Sequence, residues 1–397
     1  MKRGIAASAF AFVMAMGLVN LFADMTYEGG ASINGPFLGT LGGSAAAISI
    51  VAGVGEFLGY SLRSVSGYVA DKTGKYWLIT FLGYSINLLA VPAMALAGNW
   101  QAAGALILAE RIGRAMRKPT VEAMLSYSTG KHGKGWVYAV NTALDETGAT
   151  IGPLLIALAL YLKADFRMGY GLLLISSVLA LAALVAARVI FPLPSRLEAG
   201  GPATAQAKGF TRAYWLYMAA GSCFAAGLMS FELVSYHLSA GRIATQHWIP
   251  IFLALATAMA VAASLILGKL YDKIGITAVF AAVLLSSLFS PFVFFGGFGS
   301  ALGGLLLWGI AYATQDTLLK VLIASVLPQG KRNLAFGLFY LGYGGGWLIG
   351  SVTTGMLYEH SRIALVVFAV AVQLASLPFF AFGARAASNK HQSAHKR

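Results

Sequence analysis

Long runs without a charged side chain recur from one end of this chain to the other. Six of them have about the length of a bilayer span: Gly4–Ala23, Trp77–Gly98, Met168–Ala187, Ala213–Phe231, Trp248–Gly268 and Ile363–Ala384. Because no water is available inside a bilayer, each segment must satisfy its own backbone hydrogen bonds, and a helix does so. The chain is therefore restricted to a helical bundle within a membrane.

Composition agrees with a chain that lies mostly in lipid. Hydrophobic residues make up 58% of the 397 residues and charged residues 11%, and the mean hydropathy is +0.74. These values exclude an ordinary soluble domain. The net charge of +14 would suggest nucleic acid in a soluble protein, but basic cytoplasmic loops explain it here. The single cysteine, Cys223, allows no intramolecular disulfide and the six histidines lack metal-ligand spacing, so we expect no cofactor or metal.

Further apolar segments complete the set of predicted helices. The stretch Ile276–Gln315 is long enough for two spans and is interrupted at Phe295–Ser300. Four more segments are apolar but carry acids, arginines or many glycines, and they lie near residues 44–66, 101–118, 135–162 and 333–357. Together the segments predict twelve transmembrane helices.

The positions of basic residues predict the orientation. If the amino terminus is cytoplasmic, the extracellular loops near 25–43, 98–101 and 295–300 contain no Lys or Arg. The other three extracellular loops hold only Lys163, Arg167, Arg242 and Arg362. This asymmetry predicts a multi-pass protein of the cytoplasmic (inner) membrane with both termini in the cytoplasm. We therefore assign Gly4–Ala23 to the first helix rather than to a signal peptide.

The longest polar stretch divides the chain near its middle. Pro192–Arg212 is rich in Pro, Gly and Ala, a composition typical of a flexible linker. We expect an amino-terminal six-helix bundle at 1–191, a cytoplasmic linker at 192–212 and a carboxy-terminal six-helix bundle at 213–397 with a short basic tail.

A short polar loop occurs twice. The first copy contains Gly67, Asp71, Lys72, Gly74 and Lys75, and the second contains Gly268, Asp272, Lys273 and Gly275. The first glycine of each copy allows two helices to approach closely, and the last allows a sharp turn. Because both copies follow one apolar segment and precede another, the repeat predicts two halves of one design.

This Gly-x-x-x-Asp-(Arg/Lys)-x-Gly-(Arg/Lys) loop, between the second and third helices and again between the eighth and ninth, resembles the major facilitator superfamily of secondary transporters. Tyr76 stands where the first copy of the pattern has its final base. The resemblance implies an all-α integral membrane protein of 12 transmembrane helices, arranged as two pseudo-symmetric six-helix bundles that work by alternating access. It also implies a cytoplasmic gate, in which Asp71 meets the start of the eleventh helix near Asn333. Lys72 and Lys75 are either partners in that gate or ordinary cytoplasmic charges.

Ionisable residues within spans mark substrate or proton pathways. Asp24 and Glu28 lie four residues apart on one face, at the predicted extracellular end of the first helix. They form either a pair that shares protons or a solvated helix end. Glu56 lies near the middle of the second helix, where we expect a buried carboxyl group.

The fourth helix carries Glu110, Arg111, Arg114, Arg117 and Lys118. Arg111 resembles the superfamily's helix-4 arginine, which is associated with proton or substrate handling. Glu110 and Arg114 have the spacing of an ion pair along one face. We interpret Arg117 and Lys118 as interfacial anchors.

The fifth helix contributes two acids and a small-residue motif. Asp145 and Glu146 point about 100° apart around the helix, so we expect one to pair with Arg111 or reach the cavity. Gly148-x-x-x-Gly152-Pro153 resembles the helix-5 motif of antiporters in the superfamily, although its terminal glycine pair is absent. Small residues four apart also allow close helix packing.

The second half has fewer such groups. Glu232 is placed in the outer part of the seventh helix, and Asp316 and Lys320 have the spacing of a local ion pair in the tenth. Helix 11 carries aromatic residues around three glycines, which either pack or line a cavity for apolar or cationic compounds; they are Phe336, Phe339, Tyr340, Tyr343 and Trp347.

The predicted function is transport of small organic molecules, with export in exchange for protons favoured by the partial helix-5 motif. The alternative is uptake or exchange of an organic anion anchored by Arg111. A membrane enzyme or receptor is a different class, but the chain has no G-x-S-x-G motif and no large soluble domain. It also has no Walker sequence. We expect a monomer whose partners are substrate, protons and the bilayer, and no nucleic acid.

Overall fold

A computed structural model describes residues 2–126, 134–192, 210–326 and 332–395. Within these ranges all regular secondary structure is helical. Most of the predicted linker, residues 193–209, lies outside the described residues.

Six helices form the first half of the chain. They are α1 (Lys2–Thr40), α2 (Ala45–Thr73), α3 (Tyr76–Ala93), α4 (Trp100–Ser126), α5 (Lys134–Tyr161) and α6 (Phe166–Ile190). A single 3₁₀ turn, Met94–Leu96, follows α3. Each of these helices corresponds to one predicted span.

The second half contains interrupted helices. Its elements are α7 (Arg212–Gly227), α8 (Phe231–Ala240), α9 (Trp248–Ile274), α10 (Ile276–Ser287), α11 (Phe289–Phe295), α12 (Phe298–Ala313), α13 (Lys320–Val326), α14 (Arg332–His360) and α15 (Arg362–His395). A π-helical segment, Thr314–Leu319, joins α12 to α13. The predicted seventh helix is therefore two helices, α7 and α8, separated by Leu228–Ser230. The predicted interruption at Phe295–Ser300 is confirmed, since α11 ends at Phe295 and α12 begins at Phe298.

Nine stretches of the described chain are long and apolar enough to cross a membrane. They come from α1, α2, α3, α5, α6, the α7–α8 pair, α9, the α10–α11 pair and α15. Helix α4 is not among them, because its central turns carry the acid, three arginines and lysine described above.

The first helix is longer than the sequence predicts. The sequence predicts an extracellular loop near 25–43, but α1 continues to Thr40. Its polar residues are buried and bonded: the Ser32 hydroxyl donates to the Gly29 carbonyl oxygen, and Asn34 accepts from the Tyr170 hydroxyl at 2.7 Å. Asp24 and Glu28 consequently lie in the interior of α1, and the interpretation as a solvated helix end is wrong.

The chain forms two compact units. The first, unit 1, contains Met1–Gly43, Leu62–Ala203 and Thr245–Ala254; the second, unit 2, contains Ser44–Ser61, Thr204–Ala244 and Leu255–Arg397. Helices α2 and α9 contribute residues to both units. In unit 1 a hydrophobic core around Phe12, Tyr84 and Leu184 joins α1, α3 and α6. The predicted domain boundaries at 192–212 stay a prediction.

The repeated loop shows which of its glycines the backbone requires. Gly74 and Gly275 have positive φ angles of 66° and 58°, a conformation that favours glycine. A methyl group on Gly67 or Gly268 would lie 3.5 Å or 3.7 Å from the nearest side chain, which is ordinary van der Waals contact. The sharp turn was predicted correctly, whereas neither first glycine is required for close helix approach.

Asp71 accepts a hydrogen bond from the Tyr76 hydroxyl at 2.7 Å. Tyr76 is the residue that replaces the final base of the pattern, so its hydroxyl supplies a donor to the loop's own acid. Lys72, Lys75, Asp272 and Lys273 are all exposed. The gate contact with Asn333 stays a prediction.

Candidate functional site

Two glycines of α5 bring α1 and α5 into close contact. A methyl group on Gly148 would overlap the Leu21 carbonyl oxygen, and one on Gly152 would overlap that of Met25. The predicted close packing of the small-residue motif is therefore seen, with α1 as the partner helix. As a result, the acids of α5 lie beside those of α1.

Asp24 is the centre of a buried ion pair. Its Oδ1 atom lies 3.3 Å from Nη2 of Arg117, and the two residues are 4% and 2% exposed. The Arg117 guanidinium also lies over the Tyr84 ring at 4.6 Å. The carboxyl group of Asp145 lies near that of Asp24. Interpreting Arg117 as an interfacial anchor was wrong, because its charge is neutralised inside unit 1 rather than at the lipid surface.

Side-chain hydrogen bonds next to the Asp24–Arg117 pair join α1, α3 and α5. Asn20 of α1 donates to Asn141 of α5 at 3.1 Å and accepts a hydrogen bond from the Tyr84 hydroxyl of α3. These bonds satisfy side chains that would otherwise be costly to bury. They fix the helices that carry Asp24, Arg117 and Asp145 relative to one another.

Two further arginines surround Tyr27. Arg111 donates to the Tyr27 hydroxyl, and its Nε atom lies 3.5 Å from Oε2 of Glu110. The Arg114 guanidinium lies 3.8 Å from the centre of the Tyr27 ring, and Nη2 lies 4.0 Å from Oε1 of Glu28. These two partners of Arg111 come from α1 and α4, and the predicted contact of Arg111 with an acid of α5 stays a prediction. Glu110 contacts Arg111, and Arg114 reaches Glu28, which differs from the predicted Glu110–Arg114 pair.

Glu110 is held from α3. The Asn87 side-chain amide donates to its Oε1 atom at 2.6 Å and also to its backbone oxygen at 3.2 Å. Helices α3 and α4 approach closely here: a methyl group on Gly83 would lie 2.8 Å from the backbone nitrogen of Arg117. Helix α3 therefore positions both ends of the charged part of α4.

The remaining predicted acid of α5, Glu146, is half-buried. The structure thus brings Asp24, Glu28, Glu110, Arg111 and Asp145 together in unit 1. It adds residues that the sequence interpretation did not single out, namely Asn20, Tyr27, Tyr84 and Asn87, and it places Arg114 and Arg117 in this group as well. The polar residues of α1 recur at helical spacing from Asn20 through Asp24 and Tyr27 to Glu28, a signal that could have identified this face.

The remaining predicted acids lie in unit 2, which includes the first part of α2. Glu56 is half-buried rather than buried. Glu232 is 3% exposed and lies in the first turn of α8, next to the interruption. There the Trp308 indole donates to the Met229 carbonyl oxygen at 2.9 Å, which satisfies a backbone group that the interruption leaves free. The predicted pair of Asp316 and Lys320 is present at 3.1 Å.

A glutamine in the π-helical segment joins two tyrosines. Gln315 donates to the Tyr60 hydroxyl at 2.6 Å and accepts from the Tyr343 hydroxyl at 2.7 Å. Tyr340 stacks on Tyr60 with ring centres 5.6 Å apart. Tyr343 and Trp347 are 1% exposed, so these aromatic residues of α14 serve packing in this structure. The glutamine was not predicted, because only the π-helical geometry shows which way it points.

Comparison with known sequences identifies the family. Residues 5–351 match the family profile of the Major Facilitator Superfamily. The chain belongs to the Major Facilitator Superfamily. The resemblance drawn from the repeated loop is therefore confirmed, as is the all-α fold class of the superfamily.

Individual superfamily relatives cover nearly the whole chain. A protein of Mycobacterium tuberculosis whose function is uncharacterized is 33% identical over 378 residues, which cover 94% of this chain and 92% of that protein. An uncharacterized MFS-type transporter of Methanocaldococcus jannaschii is 27% identical over 360 residues, covering 88% and 89%. The crystal structure of the peptide transporter POT in complex with sulfate has a TM-score of 0.73 at 15% identity and covers 98% of both chains. This last likeness shows the fold alone.

Membership of the superfamily determines the class of activity. The chain is a multi-pass membrane transporter for a small-molecule substrate, and not an enzyme. In the described part of the chain, no group of three His, Cys, Asp or Glu residues could hold a metal ion.

Proposed function

We propose that this chain is a proton-coupled antiporter that exports small organic molecules, with Asp24 and Asp145 holding the exchanged proton. The observation that carries this proposal is the position of Asp145 beside the buried Asp24–Arg117 ion pair, where the two carboxyl groups interact. Two ionised carboxylates only accept hydrogen bonds and repel each other. Two such groups side by side therefore favour a state in which they hold one proton between them.

Arg117 gives the two acids different roles. Its guanidinium lies 3.3 Å from Asp24, so it stabilises the charged form of that acid. The shared proton is then carried on Asp145, which is only half-buried. When the proton leaves, Asp145 becomes a carboxylate that can attract a cationic or hydrogen-bonding substrate. Proton and substrate would thus compete for one group, as exchange requires.

Proton movement in proteoliposomes with an imposed pH gradient tests this function. A panel of organic cations, neutral compounds and organic anions is added in turn. We expect cations or neutral compounds to dissipate the gradient in the wild type, and D145N to abolish this response. Glu122→Gln, a change at an exposed acid of α4, is the matched control. Wild-type proton movement in D145N would contradict the proposal.

The alternative function is uptake or exchange of an organic anion. The three arginines of α4 favour it, since guanidinium groups bind carboxylates and phosphates in a bidentate manner. The solved POT structure contains sulfate, but that ligand belongs to POT. A response to anions alone that is lost in R111A would establish this alternative.

Topology and assembly complete the proposal. The charge asymmetry of the loops supports cytoplasmic termini and insertion in the inner membrane. Because one chain supplies both six-helix bundles, 1–191 and 213–397, a monomer is sufficient for alternating access. Labelling of cysteines introduced in the 192–212 linker from each side of the membrane tests the orientation.

A further inference from the structure

Glu110 also lines a cavity in unit 1. The cavity is small, with room for about one water molecule, and lies among α1, α3, α4 and α6. Its polar lining consists of Tyr27, Asn34, Glu110 and Tyr170, and its other walls are apolar, with Met94 and Ile107 among them. A water molecule is stable in such a space when it finds two to four polar partners. The four polar residues supply these partners.

The cavity lies near one end of the helices of unit 1. Asn34 lies ten residues after Asp24 on α1, which is roughly 15 Å along the helix axis. Met94 begins the turn that ends α3, and Tyr170 lies in the second turn of α6. The cavity is therefore near the ends of the helices that the α1–α2, α3–α4 and α5–α6 connections join. The Asp24–Asp145 pair lies deeper in the unit.

Tyr27 lies between the cavity and the Asp24–Asp145 pair. It lines the cavity, while its hydroxyl accepts from Arg111 and its ring lies under Arg114 at 3.8 Å. On α4, Glu110 precedes Arg117 by seven residues, or roughly 10 Å. Glu110 is thus separated from Asp24 and Asp145. Between them lie Tyr27 and the guanidinium groups of Arg111 and Arg114.

We propose that this cavity holds water and delivers protons to Glu110, which is a second protonation site distinct from the Asp24–Asp145 pair. The proposal rests on the proton coupling proposed above. A hydronium ion in the cavity transfers its proton to a Glu110 oxygen and remains as water; release reverses this step. Protonation removes a negative charge 3.5 Å from Arg111. Because Arg111 also donates to the Tyr27 hydroxyl, protonation of Glu110 changes the contacts that separate the cavity from the Asp24–Asp145 pair.

Several groups around Glu110 affect its titration. They include Arg111 and Arg114 on α4, Tyr27 and Glu28 on α1, Asn87 on α3 and Tyr170 on α6; Glu146 on α5 lies near Glu28. Among the acids of the described residues, only Glu110 lines the cavity.

Infrared spectroscopy after a rapid pH drop tests the proposal on the full chain in lipid nanodiscs. The protonated-carboxyl band reports all acids that bind a proton. We expect E110Q to remove one part of this band and D145N to remove another. Asn34→Leu fills the cavity with apolar atoms, and we expect it to slow the Glu110 part at least tenfold. Glu122→Gln, a change at an exposed acid of α4 outside the cavity, is the control and is expected to retain the wild-type rate.

The outcomes separate this inference from the proposed function. An unchanged band in E110Q, or an unchanged rate in N34L, overturns the cavity proposal. An unchanged band in D145N with loss of the Glu110 part in E110Q supports the cavity but overturns the Asp24–Asp145 proposal. If N34L does not fold, Tyr170→Phe replaces it, because this change removes the hydroxyl that donates to Asn34 at nearly constant volume. A wild-type rate in Y170F then counts against the proposal.

Discussion

Replacing Arg117 by methionine removes the positive charge of the buried pair while keeping a side chain of similar length. The guanidinium lies 3.3 Å from the Asp24 carboxylate, and the two residues are 2% and 4% exposed. Removing one partner of a buried ion pair leaves the other charge uncompensated, at a cost of about 3–5 kcal/mol. R117M is therefore expected to lower the free energy of unfolding by this amount. In the D24N/R117M double variant no uncompensated charge remains, so we expect it to be more stable than R117M.

Unfolding by SDS in mixed micelles measures these differences, and a double-mutant cycle isolates the pair. Lys72→Met is the control, since an exposed surface change shifts stability by at most about 0.5 kcal/mol. We expect a coupling free energy between Asp24 and Arg117 of about 2 kcal/mol or more. If the losses of the two single variants simply add in the double variant, the pair does not stabilise the protein and the reasoning is wrong.

Three other perturbations address separate parts of the structure. G148A is expected to lose about 1–3 kcal/mol of unfolding free energy, because the new methyl group overlaps a backbone oxygen of α1; G171A, with open space around it, is the control in the same assay. Q315L leaves two buried tyrosine hydroxyls without their amide partner, which costs about 1–3 kcal/mol for each and is measured by the same unfolding experiment. The Ala46 backbone N–H donates to Glu359 at 3.0 Å, and this bond, followed by one from Ser44, lowers the pKa of Glu359. This stabilisation is present above the ordinary glutamate pKa of about 4.3 and is lost as the pH falls through the lowered pKa, so an unfolding series against pH should show the loss in the wild type but not in E359Q.

The sequence was sufficient to predict the helices and their number, because hydrophobic length is nearly independent of tertiary context. It failed at the end of α1. Residues 29–36 contain Gly, Ser, Asn and Pro, which indicate a loop in water. Inside a bundle the same small residues allow close packing, as at Gly30, where a methyl group would lie 2.7 Å from Val91. Composition does not distinguish the two cases without the neighbouring helix.

The choice among the arginines of α4 shows a second limit. The family resemblance favoured Arg111, and its neighbourhood does contain Glu110 and Tyr27. The residue that pairs with Asp24 is Arg117, which looks interfacial in sequence because Lys118 and Pro119 follow it. Its burial depends on Tyr84 and on the close approach of α3 at Gly83. These contacts join residues far apart in the chain, so spacing along α4 could not predict them.

The two copies of the loop predict similar halves, yet the polar groups are held in different ways. In unit 1 the charged residues lie on uninterrupted helices, and glycine contacts such as Gly148 against Leu21 fix their positions. In unit 2 the polar contacts lie where helices are interrupted, at Met229 and at Gln315 in the π-helical segment. An interrupted helix frees backbone groups that side chains must satisfy. Sharing a proton between carboxyl groups needs a fixed geometry, which continuous helices provide. The interruptions are instead the points at which a helix can change its course, so we expect movement to concentrate there and protonation to concentrate in unit 1.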